Sequence, residues 1–189
     1  MPTLRRWGHF IDDYCAVHEG DNPYFYSERT NVGVLSAAAW GPGSGSVLEY
    51  ACRRRGDGGD NAGWADLYVY DQHTSATIEA KQLFHGAGID AAAINASFKT
   101  GNAQAVTNQD SDMALAAVFL TVKAPADTVS VDEVCGKALA AMEASAAQAW
   151  AWAFPLSKRT CLMTERRSDA AFFWPGVIVG LCLADENLG

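Results

Sequence analysis

The alternation of apolar and polar positions divides the chain into helices and strands. Trp7, Phe10, Ile11 and Tyr14 recur at helical spacing, which predicts an amphipathic helix over about residues 4 to 18 with an aromatic stripe turned to the domain. A second helix starts from Ser27, a good N-cap, and runs to Trp40, where Gly41-Pro42-Gly43 stops it. Along it Glu28, Val32, Leu35 and Ala39 share one side, so an acid lies on the core-facing stripe. Three strand-like runs follow, at 47–54, 64–70 and 76–82, separated by turn-rich stretches at 57–61 and 71–75. They read as an antiparallel meander. Residues 88–109 carry Ile89, Ala92, Ala93 and Ala96 at helical spacing, with Gly101 a weak point. The run from Ala114 to Val122 is continuously apolar, as in a strand covered on both faces. Ser130 and Glu133 match a capping box that opens an alanine-rich helix to about Trp152, ended by Pro155. Two further strands are expected at 159–164 and 171–183, with Pro175-Gly176 making the second an edge or bulged strand.

This order predicts an α/β fold, a mixed central β-sheet flanked by helices. The chain of 189 residues fits one domain over 1–189, since about 150 residues is ordinary for a domain. With 49% apolar and 19% charged residues the composition is globular. Asp12-Asp13 interrupts any secretory apolar region after Arg5-Arg6, and the apolar stretch Phe172–Ala184 contains Pro175 and falls short of the roughly 20 residues of a membrane span. Cys15, Cys52, Cys135, Cys161 and Cys182 are scattered, with neither a disulfide framework nor zinc spacing, and the four histidines are equally dispersed. A cytoplasmic setting is the expectation.

The candidate chemistry lies in two strand patterns, Trp64-Ala65-Asp66-Leu67-Tyr68 and Ile78-Glu79-Ala80-Lys81-Gln82. Glu79 and Lys81 project from one face of their strand, because side chains alternate. If the two strands pair through the turn at 71–75, Asp66 comes into register beside them. Neighbouring carboxylates repel unless a cation joins them, and Mg²⁺ accepts one or two carboxylates, a carbonyl and several waters. Such an ion polarises a phosphoryl oxygen and acidifies a bound water, while Lys81 orients that water or stabilises developing negative charge.

These residues resemble the PD-(D/E)XK nuclease superfamily, whose restriction-endonuclease-like core of a helix, three-stranded meander, helix and strand corresponds to residues 27–122, about half the chain. The resemblance implies that Asp66 is the motif aspartate, Glu79 the second acid, Lys81 the motif lysine and Glu28 the acid from the first helix, with Ala80 giving a carbonyl to the metal. Ala65 stands where the strict pattern has proline. The implied activity is Mg²⁺-dependent, or Mn²⁺-dependent, hydrolysis of DNA phosphodiesters.

The plainer reading makes Asp66 a turn residue, Glu79 and Lys81 a solvated pair and Glu28 a complement to its helix dipole, with Glu49 a rival to Glu28. The runs Arg53-Arg54-Arg55 and Arg166-Arg167 are candidate phosphate contacts, Gln82 a candidate contact to the substrate backbone, and Tyr24, Tyr26, Trp64, Tyr68 and Tyr70 candidate base-stacking residues. A net charge of −8 opposes nucleic-acid binding over the whole surface. The competing function is a catalytically inert nuclease-like scaffold that binds or assembles with another protein. With no separate recognition domain, specificity would come from a homodimer or a partner subunit.

Overall fold

The computed structural model describes residues 2–56, 59–86, 88–128, 130–164 and 170–185. Helix α1 (Pro2–Val17) buries Leu4, Trp7, Ile11 and Cys15. This stripe is rotated from the aromatic one expected: Phe10 is exposed, and Tyr14 is partly buried with its hydroxyl donating to Asp21 Oδ2 at 2.6 Å. Helix α2 (Glu28–Ala39) begins where Ser27 Oγ accepts the Thr30 N–H at 3.3 Å, and it buries Val32 and Leu35 one and two turns beyond Glu28.

Strands β1 (Gly45–Gly56), β2 (Gly59–Tyr70) and β3 (Ser75–His85) form the antiparallel meander. The first two are longer than their apolar pattern suggests, because Gly59, Asp60 and Asn61, expected in a loop, pair with β1. Helix α3 (Ala91–Ala105) then crosses over to β4 (Met113–Pro125), which runs parallel to β3. Helix α4 (Val131–Glu143) and strands β5 (Ala149–Ala153), β6 (Leu162–Thr164) and β7 (Ala171–Leu183) complete the chain order. The sheet runs β1-β2-β3-β4-β7-β5, with β6 also paired to β7. It is a mixed, open sheet with helices on both faces.

Strand β4 shows why both faces are covered. Ala117 and Phe119 pack in the core beneath α1 and α2, whereas Ala116, Val118 and Leu120 pack in the core beneath α3 and α4. Gly101 does not break α3. It lets the helix lie on the sheet: a Cβ there would stand 3.2 Å from Ala116 Cβ and 3.5 Å from the Glu79 carbonyl.

One expectation is corrected. Helix α4 stops at Glu143, and the segment expected to continue it holds β5, whose Ala-Trp-Ala-Trp-Ala alternation has the period of a strand. Strand β7 takes the bulged form of the two expected for it and lies inside the sheet, with β4 paired on one side and β5 and β6 on the other. Its register shifts opposite Val122 to Ala124, and that irregularity accommodates Pro175, which has no N–H to give to a ladder. No helix among the described residues is long and apolar enough to cross a membrane.

Candidate functional site

The site forms where β2 leaves β3. Their pairing runs from Tyr70–Ser75 to Leu67–Ile78 and goes no further. Asp66 is the next residue, and its Oδ2 accepts the Ala80 backbone N–H at 2.7 Å. Two residues on, where the same edge of β3 again presents a donor, the Gln82 N–H is taken by Glu28 Oε2 at 2.8 Å. The two acids therefore satisfy the backbone donors that the departing strand leaves unpaired. Their other oxygens, Asp66 Oδ1 and Glu28 Oε1, accept no hydrogen bond among the described residues.

The pairing of β2 with β1 is interrupted at the same level, between Leu48–Leu67 and Tyr50–Ala65. There Glu49 has a φ of 49°, in the left-handed region that non-glycine residues seldom adopt. A cleft of about 440 Å³ opens here, lined by Glu28, Arg29, Val32, Leu48, Glu49 and Asp66. Arg29 and Glu49, both exposed, form an ion pair at it.

Glu79 is only 3% exposed. Its Oε1 accepts from Arg54 Nη2 at 2.6 Å and from Asn108 Nδ2 at 3.1 Å. Burial raises its carboxyl above the ordinary value, Asn108 and Arg54 oppose that shift, and Asp66 adds to it. Burial likewise raises Glu28, with Lys81 pulling it down and Asp66 pushing it up. Lys81 also favours the charged form of Glu79. Glu28, Asp66, Glu79 and Lys81 thus share one electrostatic neighbourhood. The Lys81 ammonium donates to the Ala80 carbonyl at 2.7 Å.

The arginine run is not a free basic patch. Arg53 and Arg54 lie in β1, and each meets a carboxylate. Arg53 Nη2 stands 2.7 Å from Asp110 Oδ1, with its backbone N–H also on that residue at 2.6 Å. Arg54 crosses to Glu79 and to the Trp64 carbonyl. The Gln82 side chain turns inward, its Nε2 donating to the Tyr24 carbonyl and to Thr121 Oγ1, both at 3.1 Å. Tyr24 is core, with its hydroxyl on the Trp174 carbonyl. Tyr68 stacks between Tyr50 and Tyr70, while Tyr26 and Trp64 are exposed. Arg166 and Arg167 lie outside the described residues.

Sequence reasoning missed Asn108 and the inward course of Arg54. Nothing in the local pattern marks Asn108, which reaches Glu79 only because the segment after α3 folds against β1: Arg55 N–H donates to the Thr107 carbonyl at 2.8 Å and Gln109 N–H to the Arg53 carbonyl at 3.1 Å. Gly63 gave a faint signal, since a glycine inside a strand often marks the close approach of another group.

Compared with protein-family profiles, curated proteins and solved structures, the chain matches none of them.

Among the described residues no three His, Cys, Asp or Glu converge to cage a metal ion. The donors at the fork are two carboxylates, Asp66 and Glu79, and one carbonyl, that of Ala80. All are hard oxygen donors. That set suits a hydrated Mg²⁺, which keeps several waters and needs only one or two carboxylates.

Proposed function

We propose that the chain is a divalent-metal-dependent nuclease with a restriction-endonuclease-like core, hydrolysing phosphodiester bonds of nucleic acid, DNA first among them. One observation carries the reading: the Asp66 carboxylate sits on the Ala80 N–H, inside the Glu79-Ala80-Lys81 run, at the point where two strands part. The order α2, β1, β2, β3, α3, β4, with β4 parallel to β3, supports the same core.

Asp66, Glu79 and the Ala80 carbonyl would hold Mg²⁺ or Mn²⁺. When bound, the ion supplies a polarised phosphoryl oxygen and a water acidified enough to attack at neutral pH. The remaining work belongs to the chain. Lys81, whose ammonium donates to the Ala80 carbonyl, has two further N–H donors for an attacking water or for charge growing on a phosphate. Glu28, whose carboxyl burial raises from its ordinary value, is suited to accepting a proton beside that water.

A second reading, the inert scaffold, draws on the Arg54 guanidinium that already neutralises Glu79 and on the net charge of −8. The test incubates wild-type protein and Lys81→Ala with plasmid, linear and single-stranded DNA and with RNA, in Mg²⁺ or Mn²⁺. Cleavage by the wild type that the variant loses supports the enzyme. Cleavage by neither protein, or equally by both, sinks it in favour of the scaffold.

A further inference from the structure

The cation found on Glu79 in this structure is a side chain. We propose that Arg54 is a resident competitor for the divalent ion: its guanidinium holds Glu79 in the metal-free protein and must let go before an ion joins Asp66 and Glu79. The inference rests on the metal site proposed above.

Three observations carry it. Glu79 is almost wholly buried, so its charge needs a partner, and Arg54 Nη2 at 2.6 Å supplies one. Arg54 lies in a bed made for it: a Cβ on Gly63 would stand 2.5 Å from Arg54 Cδ and 2.6 Å from its Nε. The seat is imperfect, because Arg54 Nε is buried with no hydrogen-bond partner among the described residues. That unpaired donor lowers the cost of leaving. Asn108 meanwhile keeps a hold on the same carboxylate oxygen, so Glu79 stays in place when the guanidinium moves.

Competition of this kind has a thermodynamic signature. Apparent affinity is the intrinsic affinity multiplied by the fraction of molecules in which Glu79 is released, so loosening Arg54 tightens metal binding without adding a ligand. Gly63→Ala is the discriminating variant. It crowds Arg54 out of its bed while every charge and every proposed ligand remains. Gly63 has no positive φ, so alanine suits its backbone.

The experiment is calorimetric titration of Mn²⁺ into the full chain, as wild type, Gly63→Ala, Arg54→Gln and Asp66→Asn, with circular dichroism to verify folding. Gly63→Ala and Arg54→Gln are expected to bind Mn²⁺ about tenfold tighter than wild type, and Asp66→Asn to lose binding. If Arg54→Gln fails to fold, Gly63→Ala decides alone. Asp66-dependent binding by the wild type that neither variant tightens overturns the competitor role and leaves the metal site standing. Absence of binding in all four proteins overturns both.

Discussion

The Asp66 carboxylate and the Ala80 N–H meet at 2.7 Å one residue past the last β2–β3 pair, so a side chain closes the gap where the ladder ends. Asp66 thereby has two separable duties, one to the sheet and one to the proposed ion. Asp66→Asn keeps an oxygen for Ala80 and should unfold in urea close to wild type. Asp66→Ala leaves the N–H unpaired and should lose about 1–3 kcal/mol. Both should lack metal-dependent cleavage. Equal stability of the two variants would show that the hydrogen bond is immaterial to the fold.

Glu28 predicts a dependence on pH. Burial raises its carboxyl from the ordinary value of 4.5, so the folded chain holds that proton more tightly than the unfolded one. The stability this contributes is complete below the ordinary value and is lost as pH rises through the raised one. In Glu28→Gln, which can still accept the Gln82 N–H, that loss is removed. Urea midpoints measured from about pH 4 to 8 should therefore shift in favour of the variant with rising pH; parallel curves would refute the assignment.

Glu49 holds a left-handed backbone beside Asp66, which costs a non-glycine residue about 1–2 kcal/mol. Glu49→Gly should be about 1 kcal/mol more stable than Glu49→Ala, since both lose the pair with Arg29 and only alanine keeps the strain. Thermal unfolding of the two side by side checks this. Alanine equal to glycine would mean that the conformation carries no cost.

Lys158 is 1% exposed, and its ammonium donates to the His18 and Glu19 carbonyls at 2.5 and 2.7 Å, just beyond the end of α1. Lys158→Met fills similar space but abandons both carbonyls. A loss of about 2–4 kcal/mol in chemical denaturation is expected, and an unchanged midpoint would show that water replaces the ammonium at no cost.

Much of this architecture is written locally. Ser27 marks the start of α2, the turn at Asp71–Ser75 sets the β2–β3 hairpin, and the apolar run of β4 announces a strand covered on both faces. Those features depend on residues close in sequence. What escaped notice depends on long-range competition. Ala149–Ala153 sits in an alanine-rich stretch that suits a helix, yet β7 offers it a ladder. Pro175 allows either an edge or a bulge, and only the pairing of β7 on both sides decides for the bulge. At the site, counting from the turn places Asp66 next to Glu79, whereas the partnership of Glu79 with Arg54 and Asn108 joins residues 25 and 29 positions away through three separate elements.

Strand β7 pairs with β4, β5 and β6, all of which precede it in the chain. During synthesis, β4 is made long before its second neighbour and leaves the ribosome with Leu120 and Val122 lacking a cover on that side. Productive closure of the sheet must await residues 171–183, and until they arrive the flank of β4 is an unpaired strand edge.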